Sequence, residues 1–462
     1  MKKMRLAIIG GGISGLTAAY DAIRTFGTDC QVSVFEASGS LGGVIKTVQK
    51  GTHLIEGGPD TLLVRKPAAV TLCRELGLED QLVGLDPRSQ RLFVARANNI
   101  DEMPAGFFMM SPGNWPAFYR SQFSWAAKWR AQRERLIPRR SGASHDETVA
   151  SFVRRRFGEE ILRRAAGPIM GGLYLGDPEY LSLRHTMPQF LDIESRYGSV
   201  TTGLTELRRE RPSNAASAFQ GFKSGMRSLI DGLLAKIPAH VISTQAKVTS
   251  VLIEQGAWRI GSNQGFTTVD HVIMACPSYV TADLLRHIDG PLSTYLDQLE
   301  YASCTTVTQL YPRANTRIPE RSFGFFAPRQ DGLSLVAANF MSHKFPDRCQ
   351  RDLFSIRSFL SHSGPHKDSE LARSAHDGLS RLGLVSGKPI DSVVFKFDRA
   401  MPQFEVGFSG RLVQINREVA RLPGLYLTGS SVGCVGIPDC VARARSVISQ
   451  IRERQGSLHE AS

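Results

Sequence analysis

Much of the information in this sequence is in what it lacks. Its seven cysteines, Cys30, Cys73, Cys276, Cys304, Cys349, Cys434 and Cys440, are odd in number and include no C-x-x-C pair. That argues against a disulfide framework or a zinc ribbon and fits a reducing, cytoplasmic setting. No uninterrupted apolar run nears the roughly 18 residues that suggest a spanning helix. Met1 leads almost directly into the first apolar run, so no secretory leader is expected. No internal repeat stands out. Acidic residues are few, 43 against 56 Lys and Arg, which leaves a net charge of +13. Such a balance favours acidic partners: carboxylated substrates, an anionic membrane or nucleic acid. Nucleic acid is the weakest of these, because no reading motif accompanies the charge.

What is present is a chain of 462 residues, 42% hydrophobic and 21% charged. It can bury a sizeable core, in two or three domains at ~150 residues each. The stretch from Arg5 to Glu36 organises the rest. Leu6-Ala7-Ile8-Ile9 reads as a strand, Gly10-Gly11-Gly12-Ile13-Ser14-Gly15 as a glycine turn, Leu16 to Arg24 as a helix, and Val32 to Phe35 as a second strand ending at Glu36. Gly10 permits the tight turn, Gly12 lets a pyrophosphate approach the backbone, and Gly15 lets the helix pack closely. The helix N-terminus offers free N–H groups to phosphate. Glu36, followed by Ala37, stands where a carboxylate accepts bonds from ribose hydroxyls. These parts together predict a dinucleotide site.

Two further glycine pairs follow, Gly42-Gly43 before Val44 and Gly57-Gly58 before Pro59-Asp60. They indicate backbone approaching something flat or crowded, as in flavoproteins with an extended FAD. Pro67 opens a helix, with Arg65 and Lys66 just before it as either a solvated turn or carboxylate contacts. Residues 104 to 140 hold Trp115, Trp125 and Trp129, with Phe107, Phe108, Met109, Met110, Phe118, Tyr119 and Phe123, and then Lys128, Arg130, Arg133, Arg135, Arg139 and Arg140. Two readings stand: an interfacial membrane anchor, or a helical subdomain with an aromatic core. Residues 141 to 146 read as a loop, Arg154-Arg155-Arg156 and Arg163-Arg164 as solvated helix faces, Gly167 to Asp177 as a turn cluster, and 205 to 217 as a linker. Met226, Leu229, Ile230, Leu233, Leu234 and Ile237 mark one helix face. Strands are expected at Lys247 to Ile253, Trp258 to Ile260, His271 to Met274, Thr305 to Leu310, Ser334 to Ala338 and Val393 to Phe397, with a helix near Asp352 to Leu360. The end, Gly424 to Cys440 and beyond, repeats strand, glycine turn and helix.

The motifs Gly10 to Gly15, Glu36, Leu41-Gly42-Gly43, Gly58-Pro59-Asp60 and Gly436-Ile437-Pro438-Asp439-Cys440 resemble the protoporphyrinogen oxidase and oxygen-dependent coproporphyrinogen III oxidase family, which has a monoamine-oxidase-like fold. Gly172-Leu173-Tyr174 before Gly176-Asp177, Leu181-Ser182-Leu183, Pro188-Gln189-Phe190 and Met401 to Phe404 extend the likeness over nearly the whole chain. The resemblance implies an α/β fold: a Rossmann-like FAD-binding domain from 1–85, 220–280 and 410–455, and an α+β substrate domain from 86–98, 186–219 and 281–409. A helical, membrane-associating subdomain would span 99–185. It implies non-covalent FAD on Gly10, Gly12, Ile13, Ser14, Gly15, Glu36 and Ala37, with adenine at Val248. The rest of the cofactor would run along Gly42, Gly43 and Val44 to Gly57, Gly58, Pro59, Asp60, Gly429, Val435, Gly436 and Ile437.

The implied substrate is a porphyrinogen, protoporphyrinogen IX or coproporphyrinogen III. It would lose six electrons in three flavin cycles, with oxygen reoxidising the cofactor and peroxide released. Arg65 and Lys66 would meet a propionate, Gly172 would leave room for the macrocycle, and Phe325, Phe326 and Leu335 would wall it. The absence of a nucleophile elbow, metal cluster or carboxylate pair fits chemistry carried by the flavin, with no catalytic side chain and no metal. A homodimer and peripheral contact with the cytoplasmic membrane face are compatible with this. Two departures stand out: Cys434 replaces a usual glycine, where a thiol invites the question of a covalent flavin link, and Pro67 occupies the place of a second lysine. Rival readings are a flavin amine oxidase, disfavoured by the lack of lysine from Thr305 to Leu310, a carotenoid desaturase, and a flavin-binding scaffold without turnover.

Overall fold

The computed structural model describes residues 3–96, 98–140, 146–210, 217–328, 332–361 and 366–460. Its organising layer is a five-stranded, all-parallel sheet. The strand order is Ile242–Ser243, Cys30–Phe35, Met4–Ile9, His271–Met274, Leu425–Leu427. Leu6 to Ile8 are fully buried, as expected of a strand covered on both faces. Leu6 and Ile8 face one side, under helices Ile13–Phe26, Arg227–Leu234 and Ile437–Glu460. Ala7 and Ile9 face the other, against an antiparallel sheet of Val248–Glu254, Ala257–Ser262 and Gly265–Val269 and helices Ser278–Leu285, Gly290–Asp297 and Phe408–Ala420. Segments hundreds of residues apart thus complete one layer.

A second sheet has seven strands, ordered Asp391–Pro402, Tyr301–Pro312, Leu353–Leu360, Leu335–Phe340, Ser322–Phe326, Arg91–Arg96, Asn99–Glu102. Helix Asp368–Arg381 covers one face of it through Leu371, Ala375 and Leu379. The other face looks toward the glycine motifs.

Several expectations are corrected here. Asp352 to Leu360 is not a helix: Leu353–Leu360 is a central strand paired on both sides. Its period-two alternation, Phe354 and Ile356 to one face and Arg357 and Phe359 to the other, outweighs helix propensity once both neighbours supply ladder bonds. Gly167 to Tyr174, read as turns, is a helix with Pro168 in its first turn, preceded by a π-helical turn at Leu162–Ala166. The expected linker from 205 starts inside helix Val200–Arg209; its part from 211 to 216, like 141 to 145 of the expected loop, lies outside the described residues.

Arg155 and Arg156 do not sit on a solvated face. Arg156 is fully buried, 2.9 Å from Glu134 and also paired with Glu194, while Arg155 bridges Glu147 and Glu194 at 2.7 Å each. A buried guanidinium persists only with such partners. The helical layer also continues past residue 185, because Phe190, Ile193, Val200 and Leu204 share one cluster with Phe118, Phe152 and Phe157. Of the aromatics between 104 and 140, Phe118 and Phe123 are core, while Trp125 (68% exposed) and Trp129 (60%) are not. Among the described residues no helix is long and apolar enough to cross a membrane.

Candidate active site

The first glycine motif contains two kinds of glycine. Gly10 has φ +116° and Gly15 sits where a Cβ would lie 1.9 Å from the Gly10 carbonyl oxygen. Both are demanded by the chain itself. Gly12 is different: it is extended, at φ −77° and ψ −177°, and a Cβ there would meet nothing within 4 Å. It caps helix Ile13–Phe26 without a side-chain hydrogen bond, so the N–H groups over Ile13 and Ser14 can serve an anion. Beside it, Glu36 accepts the Gly11 N–H at 2.7 Å and the Ser38 N–H at 2.8 Å. The Glu36 carbonyl takes the Ala246 N–H at 2.8 Å, which brings the segment leading to Val248 alongside Glu36 and the exposed Ala37.

The second glycine pair docks directly on the first. The Gly42 N–H donates to the Gly11 carbonyl at 2.8 Å, and a Cβ on Gly43 would stand 3.4 Å from the Gly12 Cα. Gly58 then lies so close to Val44 that a Cβ would come 1.8 Å from its carbonyl oxygen, and a Cβ on Gly57 would lie 2.8 Å from the Phe395 ring. The crowding that these glycines relieve therefore comes in part from the chain. The C-terminal motif closes the third side. Gly429, at φ +81°, places its missing Cβ 3.2 Å from Ser14 Oγ, and Val435 and Gly436 lead into helix Ile437–Glu460, whose Ile437 packs in the same cluster as Ile13. Three distant pieces thus meet around Gly12, and the open cradle there, the helix N-terminus over Ile13 and Ser14 and the carboxylate of Glu36 beside it fit a flavin dinucleotide.

Next to this grip lies the face of the seven-stranded sheet opposite helix Asp368–Arg381. Strand register places Phe395, Thr306, Phe359, Ala337 and Phe326 side by side on five successive strands. At about 4.8 Å per strand, the row spans about 19 Å. It begins at Gly57, whose carbonyl accepts the Thr306 hydroxyl at 2.8 Å. It ends under Gly172, where a Cβ would lie 2.2 Å from the Phe326 ring and 3.2 Å from Ala337 Cβ. Phe326, Phe359 and Phe395 are only partly buried. Of the three apolar wall residues expected from sequence, Phe326 belongs to this row. Phe325 and Leu335 pack on the opposite face, in the cluster under helix Asp368–Arg381. Phe359, Phe395 and Thr306 were not singled out from sequence. Thr306 and Phe395 lie in segments read as strands, whose facing the sequence left open, and for Phe359 the helix reading hid the strand.

A buried charge cluster holds the Gly57–Asp60 loop from below. Arg357 Nη2 donates to the Gly57 carbonyl at 2.6 Å and to that of Gly58, and its Nη1 is 3.6 Å from Asp60. Lys344 reaches the other Asp60 oxygen at 2.8 Å, and Arg348 pairs with Glu56 at 3.1 Å. Burial by itself would raise the Asp60 carboxyl, but Lys344 and Arg357 outweigh it and hold it down at about 2. Burial pushes the Lys344 ammonium below its usual range, against the pull of Asp60.

The two expected substrate cations fare differently. Lys66 is bound to Asp439 by contacts of 2.7 and 2.8 Å at the start of the last helix, so its charge is already matched. Arg65 is exposed beside it. Cys434 is buried, and burial pushes its thiol up to about 12, which leaves little thiolate for a covalent flavin link. Among the described residues no cluster with metal-ligand character occurs.

These features define a flavin-dependent oxidoreductase. The chain belongs to the family of flavin containing amine oxidoreductases, whose pattern matches residues 13–450, and its cofactor is FAD. Within that class its full-length relatives are more specific. It is 28% identical to the coproporphyrinogen III oxidase of Bacillus subtilis (strain 168), over 97% of both chains. It is 27% identical to the chloroplastic protoporphyrinogen oxidase of Oryza sativa subsp. japonica, covering 96% of this chain and 88% of that one. A crystal structure from Exiguobacterium sp. 255-15, described as a candidate protoporphyrinogen oxidase, superposes with a TM-score of 0.86 at 28% identity, over 98% of this chain and all of that one.

Proposed function

We propose that this chain oxidises a porphyrinogen to the corresponding porphyrin, removing six electrons in three two-electron rounds with molecular oxygen as the final acceptor and peroxide as its product. The observation that carries this reading is the row from Phe395 to Phe326, a long, largely aromatic line across five strands that starts at the glycine loop of the cofactor site. A row of that kind suits a large flat ring better than a small amine. The strand Tyr301–Pro312 also has no lysine, a departure from the flavin amine oxidases considered as rivals.

Bound FAD supplies the hydride acceptor. The protein supplies the rest. Gly12, Ile13 and Ser14 hold phosphate, Glu36 and Val248 flank the adenosine, and Gly43, Val44 and Val435 to Ile437 flank the other half. The phenylalanine row orients the macrocycle and excludes water, and basic residues at the rim, Arg65 among them, meet its carboxylates. Each round also frees one proton from the substrate, which leaves to solvent or a base; the half-buried His185, 2.7 Å from Ser409 Oγ, is pushed down by burial and stays neutral more readily than a free imidazole.

Protoporphyrinogen IX is the first reading and coproporphyrinogen III the alternative, oxidised by the same chemistry. Coproporphyrinogen III, with four carboxylates, has a specific point in its favour in the Bacillus subtilis relative and suits the excess of basic residues. Exposed Trp125 and Trp129, stacked by Lys128 and Arg133, support peripheral contact with an anionic membrane, and a homodimer is compatible with the same reading. The test is side-by-side turnover of both porphyrinogens by the yellow protein, followed by porphyrin fluorescence. Rates proportional to protein and above autoxidation support the proposal. A fluorescence rise that ignores protein concentration refutes it.

A further inference from the structure

The charge cluster under the glycine loop contains three cations, Lys344, Arg348 and Arg357, and two carboxylates, Glu56 and Asp60. All five side chains are 9% exposed or less. The cations come from the substrate sheet and the turns that follow it: Arg357 from strand Leu353–Leu360, Lys344 from helix Met341–Lys344 and Arg348 from the short 3-10 turn Pro346–Arg348. The carboxylates come from the glycine-loop side. The cluster is therefore a clasp between the layer that carries the phenylalanine row and the loop that faces the cofactor.

Its location relative to the cofactor follows from the backbone. With phosphate at Gly12 and ribose at Glu36, the second half of a dinucleotide must lead away from Glu36. Gly43 packs against Gly12, where a Cβ on it would stand 3.4 Å from the Gly12 Cα, and Gly58 abuts Val44, the residue after Gly43. The loop clasped by Arg357 and Lys344 is thus beside the redox-active half. Asp60 Oδ2 and Arg357 Nε are buried without a hydrogen-bond partner among the described residues, so the cluster is not a closed, self-satisfied network.

We infer that Arg357 and Lys344 are positioning residues for the flavin: together they fix the loop Gly57–Asp60 and keep an unbalanced buried positive charge near the ring, which favours reduction. A hydride equivalent, one proton and two electrons leaving a substrate C–H bond, carries one negative charge to the acceptor. A fixed cation in a water-poor setting stabilises that charge where it arrives, and charge near a flavin tunes its electronics. Arg357 adds geometry, because one guanidinium nitrogen binds two successive carbonyls and so fixes the orientation of the peptide units there. The inference rests on FAD as cofactor and not on the porphyrinogen reading, so the two can fail separately.

The experiment measures the midpoint potential of FAD-loaded protein against a reference dye, with flavin content and melting temperature recorded for each variant. Lys344→Met removes a cation at similar length. It is expected to lower the ratio of reduced to oxidised flavin at fixed potential by about tenfold, equivalent to about 30 mV for a two-electron couple. The double variant Lys344→Met/Asp60→Asn restores the charge excess and is expected to return the potential close to that of the wild type. Arg357→Gln is expected to lower the ratio as Lys344→Met does, and also to lower flavin content by loosening the loop. If Lys344→Met does not fold, Arg357→Gln and the double variant still decide the matter. Variants that melt earlier but keep the wild-type potential would show a merely structural clasp and overturn the inference.

Discussion

Alanine at Gly12 and alanine at Gly15 should behave as opposites, although the two glycines are three residues apart. At Gly12 the backbone is extended and a Cβ meets nothing within 4 Å. Alanine is a poorer helix cap than glycine, by up to about 1 kcal/mol, while the stiffer unfolded chain returns about 0.4–1 kcal/mol. The apoprotein should therefore keep its stability within about 0.5 kcal/mol. The methyl group would instead occupy the approach to the helix N-terminus. Loss of one or two charge-assisted hydrogen bonds to phosphate, at about 1.5–3 kcal/mol each, amounts to about 1.5–6 kcal/mol. At 1.4 kcal/mol per decade, FAD affinity should fall roughly 10- to 10⁴-fold. At Gly15 the methyl would sit 1.9 Å from the Gly10 carbonyl oxygen. Strand, turn and helix cannot all stay in place, so the apoprotein itself should be lost or badly destabilised. Melting of flavin-free protein and titration with FAD separate the two effects. A Gly12→Ala protein that binds FAD like the wild type, or an apoprotein that unfolds, would refute the assignment of Gly12 as the phosphate cradle.

Other consequences can be checked independently. Arg156→Met removes one cation shared by two buried glutamates, Glu134 and Glu194, and should cost about 3–5 kcal/mol in denaturant unfolding while leaving FAD bound per folded molecule unchanged. Phe359→Ala and Phe395→Ala should each raise the KM for porphyrinogen several-fold, from about 1 kcal/mol of lost aromatic contact, with little change in flavin content; unchanged kinetics in both would remove the row from the substrate site. Asp60, held at about 2 in the folded protein against an ordinary value of 3.8, contributes stability that is full above about pH 4 and lost as pH falls through about 2. An Asp60→Asn protein should accordingly show a flatter acid limb in melting temperature against pH. Because burial holds the Cys434 thiol up at about 12, denaturation should release all FAD into solution, as absorbance of the protein-free supernatant would show.

Local chemistry was sufficient to read part of this molecule from its sequence. The strand-turn-helix from Leu6 to Arg24 and the strand ending at Glu36 carry their reason in adjacent residues: an apolar run, a turn that needs glycine and a helix that packs back on the strand. The helix face from Met226 to Ile237 and the proline start at Pro67 are of the same kind. The tertiary structure decided whatever depended on neighbours distant in the chain. Leu353 to Leu360 became a strand because two other strands flank it, and only that pairing aligned Phe359 with Phe395 and Phe326. Arg156 became a core residue because Glu134 and Glu194 arrive from other helices, and Lys66 was neutralised by an aspartate 373 positions away. Glycine spacing is a property of the chain; which face a side chain occupies and which charge opposes it are properties of the packing, where burial makes every unpaired group costly.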